Sequence, residues 1–286
     1  MAHSTRLTAS ALVALTAGLT LGNAGGNLMP VLLDGFSTRF HLSVTMAGVI
    51  AAAQLLSTAV LALLLSARAA RPGRARLARI GLAIAALGFL GAWAAPTAAL
   101  LLGANIVIGA GLGAVFAAAS AALSSTPDVD RATTLAVLFS TIAIAALILA
   151  IPFASDLGVG TGGFALLATC CLIGLLLVRG LPELATNARA TTGPPLKWTF
   201  VLGVVLFGTT EQGAWSYAAV LGQTGAGLTA ASAALVLGIA AIAALVGVPL
   251  AALSRGAWGA RTALSGALAL GATAKVTVVL AHDPIL

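Results

Sequence analysis

Apolar residues are strung along this chain in nine long runs, at about 9–33, 44–66, 78–95, 98–123, 133–153, 160–178, 198–221, 229–252 and 262–281. Each is roughly 18 to 26 residues, enough to cross a hydrocarbon core of ~30 Å as an α-helix rising about 1.5 Å per residue. The runs are continuously apolar. Barrel strands would instead alternate polar and apolar positions over segments of about ten residues, so the pattern predicts helices. Glycine and alanine recur throughout the runs and suit close helix packing in lipid. The predicted fold is all-α, a polytopic helical bundle of about nine transmembrane helices.

Composition removes the soluble alternative. Hydrophobic residues make up 60% and charged residues 7%, with a mean hydropathy of +1.11, whereas soluble domains carry about 25% charge. The basic residues then orient the chain, because they accumulate in cytoplasmic loops. With the N-terminus inside, the inner segments hold Arg6, then Arg68, Arg71, Arg74, Arg76 and Arg79, then Arg131, then Arg179, Arg189 and Lys197, and then Arg255 and Arg261. The outer segments hold Arg39, and Lys275 lies within the ninth run, where its head snorkels outward. The net charge of +7 is thus a topology signal and no mark of nucleic acid binding, since the arginines are dispersed over separate loops. The chain reads as an integral protein of a bacterial inner (plasma) membrane with a cytoplasmic N-terminus. Arg6, the first run and the small residues Ala24, Gly25 and Gly26 also fit a signal peptide. Removing that run would leave the alternation of arginines without its first member, so it is kept as a helix. Cys170 and Cys171 are adjacent inside the sixth run, a spacing that suits neither a structural disulfide nor a metal, and they read as packing residues.

A parallel repeat runs through the sequence at a constant offset of 186. It places Gly22 on Gly208, the entry to the second run (Leu42, Ser43, Ala47) on the entry to the eighth (Leu228, Thr229, Ala233), and Gly73 on Gly259. The longest polar stretch, with Pro182, Glu183, Asn187, Gly193, Pro194 and Pro195, separates six runs from three. The expected organisation is a six-helix half over 1–179, a cytoplasmic linker over 180–197 and a three-helix segment over 198–286.

Several local motifs, in this order, resemble the major facilitator superfamily. The loop after the second run, Ala70-Arg71-Pro72-Gly73-Arg74-Ala75-Arg76, keeps the Arg-x-Gly-Arg core of the family's inner-loop signature but has Ala70 at its acidic position. Asn105 to Gly109, followed by Gly111 and Gly113, stands where the family has an Arg-x-x-x-Gly pattern. Pro127-Asp128-Val129-Asp130-Arg131 resembles the acidic-Arg turn between the fourth and fifth helices, and 255–261 a degraded copy of the first loop. The resemblance implies twelve helices in two halves that rock about a mid-membrane site. The chain stops shortly after the ninth run, so it is expected to be a fragment or truncated product lacking three helices, with closure by oligomerisation as the alternative. In the inner loop, Gly73 is expected to allow a tight turn and the arginines, Arg71 and Arg74 among them, to meet helix C-termini. Asp128 or Asp130, beside Arg131, is expected to replace the missing acid; the alternative is that these arginines only set topology.

If the first, fourth and seventh helices line a cavity, as the resemblance implies, the polar residues at mid-depth are Asn23, Asn27, Asn105, Glu211, Gln212, Trp215 and Tyr217, with Gln54 from the second run at similar depth. Glu211 and Trp215, four apart, share a helix face, as do Asn23 and Asn27. An ionisable group in mid-membrane usually faces a polar interior or a water path, so Glu211 is read either as a coupling or binding group or as a protonated packing residue. Trp215 reads equally as a solute-stacking side chain and an interfacial anchor; Tyr217 reads as an anchor before a stacking group, and Asp34 as a solvated loop charge before a gate or proton-entry site. Gly18, Gly22, Gly26, Gly109 and Gly113 read as packing grooves. No Ser/His pair, carboxylate pair, metal-ligand cluster or phosphate loop is evident, which leaves no cofactor, no metal and no enzyme chemistry to assign. The sequence therefore points to a secondary active carrier of a small organic solute by alternating access, coupled to an ion or proton. A non-transporting membrane subunit or receptor, an inactive fragment and an intramembrane enzyme are the alternatives. The direction of transport stays open; the resemblance weakens an efflux reading, because proton-coupled drug exporters often have Arg where this chain has Asn105 and antiporters commonly carry a Gly-Pro motif that the fifth run lacks.

Overall fold

A computed structural model describes residues 7–157, 162–183 and 198–280. The first run is broken into α1 (Ala9–Gly22), α2 (Ala24–Asn27) and α3 (Met29–Phe40), and is followed by α4 (Val44–Ala69), α5 (Arg74–Ala94), α6 (Ala98–Ser124) and α7 (Val129–Leu157). Then come α8 (Gly162–Leu177) with a 3-10 turn at Val178–Gly180, α9 (Trp198–Ala226) and α10 (Ala230–Leu280). No strand occurs among the described residues, and five of the helices, α4 to α8, are long and apolar enough to cross a membrane. The bundle is all-α as expected. Arg6, Arg189, Lys197, the histidines at 3 and 282 and most of the linker lie outside the described residues.

Two departures from the expected helices have local causes. Pro30 has no N–H to give the carbonyl of Gly26 four residues back, and its ring crowds that carbonyl. The first run accordingly breaks at Leu28; it breaks a second time at Asn23, whose side-chain amide bonds Leu19 O. The eighth and ninth runs, expected as two helices, form one helix of 51 residues, ~76 Å long at 1.5 Å per residue. The first-half loop is broken by Pro72 and by Gly73 at φ 99°. At an offset of 186 the residue matching Pro72 is Trp258, so nothing in 255–261 blocks a helical backbone, and its two glycines cost only about 1 kcal/mol each.

Small residues decide the packing. Helix α6 sits between α4 and α5 because a side chain on Gly109 would run into the carbonyl oxygen of Gln54, one on Gly113 into that of Thr58, and one on Gly111 would lie 2.5 Å from the backbone of α5. Helix α1 crosses α6 the same way: a Cβ on Gly18 would be 2.8 Å from Ala119, and one on Gly22 2.9 Å from the backbone of Phe116. The buried stripe of α6, with Leu101, Asn105, Ile108, Leu112, Val115, Ala119 and Ala122, follows the three-and-four spacing of a helix face.

The turns define two ends. Arg39 donates to the carbonyls of Trp93 (3.1 Å) and Ala95 (2.9 Å), which puts the α3–α4 and α5–α6 turns at one end. Arg74 reaches Ser125 and Pro182, which puts the α4–α5 and α6–α7 turns at the other. Turn geometry recurs at the repeat offset. His41 and Gly227, 186 apart, both have positive φ, 50° and 66°. Two residues on, Ser43 accepts from the N–H of Met46 at 3.2 Å and Thr229 from that of Ser232 at 3.2 Å, the same N-cap on two helices.

Candidate functional site

Helix α9 meets the first half at the Arg39 end through carbonyls at the break in the first helix. The carbonyl that Pro30 leaves without an intrahelical donor, Gly26 O, accepts from Gln212 Nε2 at 3.0 Å. The neighbouring Asn27 O accepts from Trp215 Nε1 at 3.0 Å, and the Tyr217 hydroxyl donates to Val44 O at 3.3 Å. Gly26 and Gln212 are 186 residues apart, the offset of the repeat, so two repeat-equivalent positions touch, as residues on a two-fold axis do. Among the described residues, the side chains of α9 and α10 are most buried at this end. The buried residues of α9 and α10, Ser216, Ala219, Ala233, Ala234 and Leu237, cluster there, while Leu202, Val205, Leu206, Phe207, Ile239, Ile242 and Val246 further along the two helices are exposed.

The remaining polar residues singled out from the sequence are not gathered into this junction. Asn23 folds back on its own helix, Nδ2 to Leu19 O at 2.9 Å. Asn105 does likewise to Leu101 O at 2.8 Å, and its Oδ1 is buried without a hydrogen-bond partner. Gln54 is 1% exposed; neither amide atom is bonded, and a Cβ on Gly25 would lie 2.7 Å from its Nε2. Glu211 is exposed on α9, one residue before Gln212.

At the opposite end the inner loop is closed by an acid that sequence reasoning missed. Arg74 is fully buried. Its guanidinium donates to Ala69 O (2.7 Å) and Ala70 O (3.0 Å) at the C-terminus of α4, to Ser125 Oγ (2.7 Å) after α6 and to Pro182 O (3.2 Å) after α8. Glu183 then caps α5 from outside it, accepting from the N–H of Gly73 (2.5 Å), Arg74 (3.1 Å) and Ala75 (2.9 Å). These are the free donors of a helix start, where the dipole favours an anion. Burial by itself would raise the Glu183 carboxyl, but the three N–H bonds and the Arg74 charge outweigh it and hold the pKa below the ordinary glutamate value.

The expectation that Asp128 or Asp130 serves Arg74 is therefore corrected. Asp128 is occupied at the start of α7, where its Oδ1 accepts from Arg131 N at 3.0 Å; Asp130 lies one residue inside that helix and is exposed. Arg71 and Arg131 are exposed. The signal that could have found Glu183 is its place directly after Pro182 at the close of the sixth run, where a chain returning to the inner face passes the α5 N-terminus.

Between α1, α7 and α8 lies a cavity of about 700 Å³ walled by Val13, Ala17, Phe139, Ala146 and Cys170 among others. None of the polar residues singled out from the sequence lines it. Among the described residues no three His, Cys, Asp or Glu side chains cluster as a metal site. The family model of the Major Facilitator Superfamily matches residues 11–285. No curated protein matches the chain.

Proposed function

This chain belongs to the major facilitator superfamily, and from that membership we propose that it is a secondary active carrier of a small organic solute. It works by alternating access between a half over 1–179 and a second segment over 198–286. The Arg74 end faces the cytoplasm of a bacterial inner membrane, as the concentration of arginines there suggests.

The observation that carries this reading is the contact of Gly26 with Gln212. At this junction the hydrogen bonds from α9 to Gly26 O, which Pro30 leaves free, and to Asn27 O can part and re-form without unfolding either helix. The bonds are worth about 1 kcal/mol each, the scale on which a bistable element can be biased by a bound solute. The joined Arg39 end and the exposed apolar side chains of α9 and α10 beyond it support a path open on the inner side. Arg74 and Glu183 hold the α4, α6 and α8 ends as one rigid body, so motion falls at the junction between the two segments. Glu211, next to Gln212 in sequence, is the group proposed to carry the coupling proton.

The experiment is flux into proteoliposomes of the purified full chain, with an imposed pH gradient and a panel of labelled sugars, amino acids, organic acids and lipophilic amines. Gradient-driven accumulation that an uncoupler collapses supports the carrier. Absence of both net flux and counterflow for every member, from protein that is folded and inserted, would favour a non-transporting membrane subunit or receptor.

A further inference from the structure

The cavity beside α1 has a chemistry different from that of the polar residues the sequence brings forward. It extends along α1 from Ala9 to Leu21 and along α7 from Phe139 to Ala150, with Cys170 of α8 in its wall. Val13 and Phe139 present apolar side chains to it while 48% and 44% exposed. Two hydroxyls belong to its walls. Thr20 donates its hydroxyl to Ser140 at 3.1 Å, and the Thr16 hydroxyl is buried without a hydrogen-bond partner. A solute entering here finds no charge and a single unpaired hydroxyl on the walls, so nearly every hydroxyl or amide it buries loses its water without replacement.

Position ties the groove to the path. Two of its three walls lead to the second segment at the Arg39 end: α1 through Gly26 and Asn27 of α2, which follows it, and α7 through Leu149, which packs against Gly238 of α10. Below those contacts α9 and α10 expose their apolar side chains. The volume of about 700 Å³ falls within the range of about 300–1,000 Å³ typical of small-molecule sites.

We propose that this groove is the solute site and that it takes the apolar body of an uncharged lipophilic molecule. Sugars, amino acids and other strongly hydrated solutes are excluded. The proposal rests on the carrier reading and names its substrate class.

Cys170 supplies the test, because it is the thiol among the lining side chains and is only partly buried, while Cys171 is buried. The full chain carrying Cys171→Ala is placed in lipid nanodiscs, and alkylation of Cys170 by N-ethylmaleimide is followed by intact mass as N-phenyl-1-naphthylamine is added. At ten times the half-protecting concentration the rate should fall roughly tenfold, as the free fraction does, and lactose or glutamate should leave it unchanged. Ala146→Trp, which fills the groove, should remove the dependence on the probe. A rate indifferent to the probe, or equal protection by lactose, overturns the proposal. So does a Cys170 that reacts only when the lipid is replaced by a short-chain detergent, since an acyl chain then holds the groove. Protection without gradient-driven uptake of the probe would support the site and count against the carrier; uptake of a solute without protection would count against the site alone.

Discussion

Glu183 caps the helix that begins at Arg74. Its Oε2 accepts from the backbone N–H of Arg74 at 3.1 Å, while the Arg74 side chain reaches past it to Pro182 O at 3.2 Å. One residue thus supplies both a helix start for the acid and a cation that holds the segment carrying the acid.

Replacing this cap has a predictable signature. Glu183→Gln should lower stability by about 1 kcal/mol, the usual size of a lost N-cap. The native pKa is lowered, so the contribution is complete above the ordinary glutamate value of about 4.3 and is lost as pH falls through it to the lower native value. Thermal unfolding of wild type and variant should differ at about pH 7 and converge near the acid end of that window. A difference that persists unchanged in acid would remove the carboxylate from the account.

Gln212→Ala should loosen the junction of α9 with the broken first helix. It leaves Gly26 O without its donor, a change of about 1 kcal/mol or roughly fivefold in the population of the parted state. With Asn27→Cys as reporter in a background lacking Cys170 and Cys171, labelling from the Arg39 side should rise by that factor. Pro30→Ala, which restores an intrahelical donor to Gly26 O, should act in the same direction. Unchanged labelling in both would show that these bonds do not hold the end closed.

Gly113→Ala places a methyl group against Thr58 O at the α4–α6 contact. Backbone cannot yield there as a flexible side chain would, so a loss of about 1–3 kcal/mol is expected from overpacking. Gly103, with open space around its Cβ position, is the control on the same helix. Equal melting temperatures for Gly103→Ala and Gly113→Ala would refute close approach at Gly113.

For Glu211→Gln the expected outcome is normal insertion with loss of gradient-driven accumulation and retention of exchange, if Glu211 carries the proton. The measurement is uptake against counterflow in the same vesicles. Wild-type kinetics and pH dependence would leave Glu211 a packing role.

Topology is checked by impermeant thiol labelling in intact cells. Arg74 is buried, so the exposed Arg71 takes its place: Arg71→Cys should be protected and Pro96→Cys labelled. The reverse pattern would invert the assigned orientation.

The sequence by itself determined the helices, because in lipid each crossing segment must satisfy its own backbone and announces itself as an apolar run of sufficient length. It also showed the repeat whose equivalents His41 and Gly227 share a turn; the break in the first helix near Pro30 was not read from it. It did not reveal that 230–280 continues as one helix, a choice between turn and helix that its glycines leave open. Only the tertiary structure decided which acid meets the inner loop. Asp128 and Asp130 are nearer to Arg74 in sequence, but Glu183 arrives at the free N–H groups of α5 because of how α8 packs against that helix. The groove beside α1 is likewise legible only in three dimensions: its walls come from α1, α7 and α8, and the apolar runs that form them look alike along the chain. Which face of each turns inward is set by the small residues, Gly18 and Gly22 among them, that let neighbouring backbones meet.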